Sequence, residues 1–469
     1  MTTTIENLYH GRMDIKTLVE HLHIELEESQ VSVSRGDIQE HSSDQSSHAA
    51  NAPDVVVWPR NREDVQYVAK IANEMDIPVT AWGAGTSVEG NPIPMKGGVV
   101  VDFRDMNQII EVYETDFQVE VEPGILYKDM NHELGKVGLF FAPDPGANAS
   151  IGGMIANNAA GIRTVKYGAT KDNVLALEVV LANGDVINTG SRSAKQSAGY
   201  DLTHVFAGSE GTLGIMTRAT LQLAPLPEHY SAAVAAFPDV TDAAEAVYQI
   251  MACGLEPSAM EILDTYCVEL LNREEKLGLS EAPTIIMEFC DASVAGLEER
   301  LAMVQELCLE LGAVSFDSGV GRDERERLWE ARHRLFEILV RCHPGQTWVL
   351  SDMGVPISGF SDMVIHARDL NKQHDMDGIV FGHAGDGNIH TLYFYDADDQ
   401  DSMDKVARIT GELTDLALTL GGTSTGEHGI GLGKQQYMLR EHGEEAVAIM
   451  RSLKDTLDPK GILNPGKIF

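Results

Sequence analysis

Basic residues are scarce. Against 72 Asp and Glu, the 469 residues hold only 35 Lys and Arg, a formal charge of −37. Such a surface repels phosphate backbones and anionic lipid headgroups, which excludes nucleic-acid binding and polybasic attachment to membranes. Cysteine is sparse too: Cys253, Cys267, Cys290, Cys308 and Cys342 are odd in number and none sits in a CxxC pair. That leaves no disulfide framework and no thiolate metal site, and it fits a reducing compartment. No apolar run reaches the roughly 18 residues that a membrane span needs. The start, MTTTIENLYHGRMD, lacks both the apolar core of a signal peptide and the Arg-rich character of a transit peptide. The expected location is the cytoplasm, with a peripheral contact at the inner face of a membrane left open. Internal repeats and low-complexity tracts are missing. With 43% hydrophobic residues, the acidity belongs to the solvated surface of a globular protein, not to disorder.

Hydrophobic periodicity divides the chain into four stretches. Residues 1–49 are polar, with helical spacing around Ile15 to Leu26, followed by a Ser/His/Gln-rich loop. Residues 50–226 are rich in strands. VVVWP (55–59) reads as a strand, REDVQYVAKIANEM (62–75) puts Val65, Val68, Ala69 and Ala72 on one helical face, and IPVTAWG (77–83) reads as a second strand. Residues 227–430 alternate longer helices with strands, and residues 431–469 end in a proline-punctuated piece too short for a domain, expected to pack back near the first unit.

Three glycine-rich stretches lie in the first unit. WGAGTSVEG (82–90) follows a predicted strand, and its glycines let successive N–H groups form a concave anion nest. It is no Rossmann fingerprint, because Val88 stands where the third glycine belongs, and no Lys-Ser/Thr pair makes it a P-loop. Alone it reads equally as a tight turn. PDPGANASIGGMIANNAAG (143–161) is too glycine-rich for a stable helix and has the composition of backbone laid against an extended ligand, and AGSEGTLGI (207–215) repeats the device. Three such loops in one unit favour an extended dinucleotide cofactor.

The second half carries FGHAGDGNIH (381–390) and TGEHGIG (425–431). His383, His390 and Glu427 make a two-His, one-carboxylate set that suits zinc, manganese or iron with positions left open. On one straight strand the odd offset between the two His points them to opposite sides, so a turn is required, which Gly385 and Gly387 permit. Asn388, inside the same motif, is a substrate contact or a turn residue. In WEARHRL (329–335), Arg332 offers its fork to a substrate carboxylate or pairs with Glu330 or Asp323.

In this order, these segments resemble the vanillyl-alcohol-oxidase-like flavoproteins, nearest to the FAD-linked D-lactate dehydrogenases, with glycolate oxidase subunits and D-2-hydroxyglutarate dehydrogenases as cousins. The resemblance implies an α+β chain: a two-part FAD-binding domain of the vanillyl-alcohol-oxidase type, and an α+β cap domain with an antiparallel sheet. It places FAD against Trp82, Gly83, Ala84, Gly85, Thr86, Ser87 and Gly90, then against Pro143, Asp144, Gly146, Ala149, Ser150, Gly152, Gly153, Asn157 and Gly161, and finally against Glu210, Gly211, Gly214 and Ile215. Residues 80–96 contain no His, so non-covalent FAD is expected. His383, His390 and Glu427 match the family's metal ligands, His428 its base, and Arg332 its carboxylate clamp. Relatives that oxidise D-2-hydroxyglutarate use a Thr and a Lys where this chain has Phe336 and Leu350, so a small apolar D-2-hydroxyacid such as D-lactate is expected. Electrons leave to a quinone, a cytochrome or an electron-transfer flavoprotein. The competing readings are D-2-hydroxyglutarate or glycolate oxidation, a non-catalytic FAD subunit, and, from another class, a metallohydrolase.

Overall fold

Valine fills Val55–Val57 and begins Val99–Asp102, and both segments are wholly buried, as strands of a parallel core are. They pair in parallel at the centre of a first sheet, made of β1 (Val31–Ser32), β2 (Val55–Val57), β3 (Val79–Trp82) and β4 (Val99–Asp102) in the order β1-β2-β4-β3. The computed structural model describes residues 15–320 and 322–469; the first 14 residues, on which the reading of the start rests, lie outside them. The helix Arg62–Glu74 joins β2 to β3. Asn61 caps it by accepting from the Asp64 N–H, and its Val65, Val68, Ala69 and Ala72 enter the core beneath the sheet. The chain terminus extends the same sheet: Val79 donates its N–H to the Ile462 carbonyl, and Asn464 donates to that of Val79.

Next come β5 (Ile109–Tyr113), β6 (Gln118–Val121), β7 (Leu139–Phe140), β8 (Val174–Val180), β9 (Val186–Gly190), β10 (Ile215–Gln222) and β11 (Ala224–Pro225). Five of them form an antiparallel sheet, β5-β6-β10-β8-β9, while β7 pairs with β11. One expectation is corrected here. The glycine-rich stretch 143–161 does contain a helix, Ile151–Asn157. Ser150 caps it through Gly153 N–H, Ile151, Met154 and Ile155 are buried against the second sheet, and Asn158 ends it in the left-handed region. Burial of three large side chains offsets the roughly 1 kcal/mol that each glycine costs.

The rest of the chain builds one antiparallel sheet of eight strands. These are β12 (His229–Ala236), β13 (Ala259–Leu263), β14 (Thr284–Asp291), β15 (Ser315–Val320), β16 (Thr347–Leu350), β17 (Met353–Gly354), β18 (Ile379–His383) and β19 (Asn388–Tyr395), in the order β15-β12-β14-β13-β18-β19-β16 with β17 beside β19. Helices Val240–Ala252, Val294–Glu310, Phe360–His374 and Gln400–Thr419 cover one face. The other face packs against Thr265–Glu275 and the consecutive helices Arg322–His333 and Leu335–Cys342. Among the described residues no helix is long and apolar enough to cross a membrane.

Candidate active site

A cavity of 1020 Å³ separates the first unit from this second face of the eight-stranded sheet. One wall is mostly backbone. It comprises Trp82, Gly83, Ala84, Gly85, Thr86 and Ser87, then Gly146, Ala149, Ser150, Gly152, Gly153 and Asn157, then Glu210, Gly211, Gly214 and Ile215. A Cβ on Gly83 would stand 2.1 Å from Ser150 Oγ, so the first loop rests directly on the cap of the Ile151–Asn157 helix. The facing wall holds Arg332, Phe336, Trp348, Leu350, Phe381, His383, His390, Glu427 and His428.

Four residues that the resemblance set against the cofactor lie off this wall. Gly90 packs under Leu432 and His48. Pro143 is buried behind the surface. Asp144 accepts from the Tyr127 hydroxyl at 2.6 Å, Arg163 at 2.6 Å and His333 Nε2 at 3.2 Å. Burial would raise its pKa, but His333, Arg163 and Tyr127 hold it well below the carboxylate range. Gly161 is glycine because the Asp144 carbonyl passes where its Cβ would be. Asn388 is also turned away from the cavity, donating to Asp352 Oδ1 and the Met353 carbonyl.

Strand register brings the two histidines together. Phe381 on β18 stands opposite His390 on β19, so His383, two residues beyond Phe381, shares a face with His390. The turn between the strands closes at Gly387, with φ of 80°. His383 Nε2 lies 3.0 Å from Glu427 Oε1, and His390 Nε2 lies 3.5 Å from the same oxygen. Glu427 Oε2 is buried without a partner. The remaining ring nitrogens are spoken for. His383 Nδ1 donates to Glu261 Oε1 at 2.6 Å, and His390 Nδ1 donates to the Ser351 carbonyl at 3.3 Å. Both imidazoles therefore present Nε2 to one point beside a carboxylate, the arrangement that fits a divalent cation. Burial pulls the His383 pKa down, yet Glu261 and Glu427 hold it well above the imidazole range, and the same two charges favour a metal ion in place of the proton. Asp352, His390, Glu427 and His428 form a second grouping, with one donor atom each inside 4.8 Å.

The His428 ring stacks on that of His390 with centroids 5.3 Å apart. Its Nδ1 is buried without a bond, facing Asp352 at 3.9 Å and Glu89 at 4.0 Å, which leaves Nε2 for a molecule in the cavity. Burial, opposed by Asp352 and reinforced by Lys434, pushes its pKa down to about 4. Among the described residues of its own helix, Glu330 included, Arg332 has no ion-pair partner; NH2 meets the fully buried Glu261 at 2.5 Å, and the guanidinium lies over the Phe381 ring. The Asp323 side chain lies outside the described ones.

Residues 226–468 match the family described as FAD linked oxidases, C-terminal domain, and residues 53–190 match FAD binding domain. The chain is 40% identical to a probable mitochondrial D-lactate dehydrogenase of Danio rerio, over 94% of this chain and 89% of that protein. The chain belongs to the FAD-linked oxidases. Other relatives are a mitochondrial D-lactate dehydrogenase [cytochrome] of Arabidopsis thaliana, at 38% over 90% of this chain and 74% of that one, and the glycolate oxidase subunit GlcD of Bacillus subtilis, at 38% over 92% of each. In fold, this FAD-linked oxidase superposes on 4-ethylphenol oxidase of Gulosibacter chungangensis (TM-score 0.78, 20% identity, 97% of this chain and 96% of that one) and on p-cresol methylhydroxylase (TM-score 0.78, 18% identity, with the same coverage). That is the vanillyl-alcohol-oxidase type of architecture. As a FAD-linked oxidase the chain binds FAD, which sets aside the metallohydrolase reading.

Sequence motifs missed three contributors. Glu261 carries the one local signal, an acid inside the otherwise apolar strand AMEIL. Asp352 sits in SDMG, where nothing distinguishes it from a turn residue. Asn464 reaches the cavity from the chain terminus and donates to the carbonyls of Asn91 and Glu210. The proline beside it in LNPGK marks a bend, not a partner.

Proposed function

We propose that this chain oxidises D-lactate, or another D-2-hydroxyacid with a small apolar side group, to the 2-oxoacid, and passes the electrons through FAD to an acceptor other than NAD. One observation carries the reading: a single cavity has the glycine-rich backbone on one side and the His383, His390, Glu427, His428 and Arg332 set on the other. The named relatives support it. FAD along the glycine-rich wall would supply the oxidising power, taking the C2 hydrogen as hydride. A zinc, manganese or iron ion held by His383, His390 and Glu427 would lower the pKa of the substrate hydroxyl.

The protein's own groups do the rest. Arg332 holds the substrate carboxylate with its planar fork. His428, kept neutral by burial, accepts the hydroxyl proton at Nε2. Phe336 and Trp348, edge to face with centroids 5.1 Å apart, form with Leu350 an apolar wall that suits a methyl group and has no charged donor of its own for a second carboxylate. The cytoplasm, with five unpaired cysteines, suits this reading, although both D-lactate dehydrogenases named above are mitochondrial by name. A cytochrome is the favoured acceptor, by analogy with the Arabidopsis relative; a quinone or an electron-transfer flavoprotein is the alternative. The GlcD likeness keeps glycolate as the second substrate to try.

The test is anaerobic addition of D-lactate, then L-lactate, to the purified yellow protein. Bleaching by the D enantiomer alone is expected. Bleaching by glycolate or D-2-hydroxyglutarate but not by D-lactate would overturn the substrate assignment.

A further inference from the structure

Asp352 follows β16, is fully buried, and does not reach the cavity. Its Oδ2 accepts the N–H groups of Glu427 and His428, each at 2.9 Å, the Thr425 hydroxyl at 2.9 Å, and Lys434 Nζ at 3.4 Å. Its Oδ1 accepts from the Asn388 side chain at 2.8 Å. Two successive backbone N–H groups on one carboxylate oxygen fix the peptide between Glu427 and His428, and so the directions in which both side chains leave the chain. Asn388 begins the strand that carries His390, and its other proton goes to the Met353 carbonyl. Gly426 is glycine because a Cβ there would stand 2.2 Å from Asn388 Nδ2. Lys434, itself buried, also meets Glu89 at 3.1 Å, which links the assembly to the first glycine-rich loop.

We infer that Asp352, with Asn388 as its second arm, is the positioning residue that sets Glu427 and His428 in register with His390, and is neither a metal ligand nor a substrate contact. Four of its five donors crowd Oδ2, and the fifth, Asn388, holds Oδ1 toward the start of β19. His390 Nδ1, 3.7 Å from Oδ1, is already bonded to the Ser351 carbonyl. The carboxylate therefore preforms the site before any ligand arrives.

The kinetic arm of the test rests on the function proposed above; the exchange arm does not. In Asp352→Asn holoenzyme, FAD content and the flavin spectrum stay as in the parent protein. Flavin reduction at saturating D-lactate slows about 10- to 100-fold, the scale on which partners that orient metal-site residues act, while half-saturation moves less. After chelator treatment, hydrogen exchange in residues 424–431 quickens in the variant. Thr425→Val removes a single donor and slows reduction by about threefold to tenfold in the same direction; it reads the clamp even if Asp352→Asn does not fold. Unchanged exchange in both variants overturns the inference. So does loss of metal content from Asp352→Asn with exchange unchanged, which would make Asp352 a ligand. If the parent protein is not bleached by D-lactate, the proposed substrate fails and exchange alone decides the clamp.

Discussion

Replacing Glu261 by Gln tests whether the site works as a unit. Glu261 is fully buried in β13, directly opposite His383 on β18. One carboxylate oxygen takes the His383 Nδ1 proton at 2.6 Å and the other faces Arg332 at 2.5 Å. Both partners are donors. A carboxylate satisfies both, whereas an amide has one acceptor and must turn its NH₂ toward the other. If the amide oxygen keeps Arg332, His383 loses the bond that holds its proton on Nδ1, and Nε2 is no longer fixed as a free lone pair. If the oxygen keeps His383, the buried guanidinium faces a donor. A hydrogen bond to a charged group contributes about 1.5 to 3 kcal/mol, so at about 1.4 kcal/mol per factor of ten metal affinity or turnover should fall about 10- to 100-fold. Metal titration of the stripped protein and anaerobic flavin reduction read the two branches separately. FAD content should not change, because Glu261 does not line the cavity. Turnover within about twofold of the parent at full metal occupancy would refute the reasoning.

Gly83→Ala should give a colourless protein that regains little FAD on reconstitution, since the new Cβ collides with Ser150 Oγ; the visible spectrum reads the outcome. Asp144→Asn should keep its flavin but melt earlier, losing about 3 kcal/mol because the buried Arg163 guanidinium loses its counter-charge. With a depressed pKa, that stabilisation is present above about pH 4 and fades as pH falls through the folded value. His41 should show the opposite sign. It is buried between Asp102 Oδ2 at 2.9 Å and the Asp37 carbonyl at 2.7 Å; burial lowers its pKa, but these bonds raise it above 6.5 overall. Its contribution is complete below pH 6.5 and is lost as pH rises through the raised value, so Tm scans across that range should flatten in His41→Asn.

Much of this was decided locally and is therefore legible in the sequence. Val55–Val57 and the helix Arg62–Glu74 follow from apolar spacing, and the glycine wall follows from residues that only a close backbone approach requires. His383, His390, Glu427 and His428 are set off by their glycines. What sequence left undetermined depends on partners far along the chain. The stretch 143–161 reads as loop because glycine lowers helix propensity, yet it becomes partly helical once Ile151, Met154 and Ile155 find the second sheet. Asp144 belongs to a cofactor-like motif but is turned inward by Tyr127, Arg163 and His333, and the last of these lies 189 residues away. Asp352 and Glu261 have no spacing signal, because the groups they hold arrive from other strands and loops. Periodicity and glycine spacing fix which segments can form a strand, a helix or a nest. Which buried charge meets which donor is settled only when the sheet register and the packing of the two units bring them within hydrogen-bond distance.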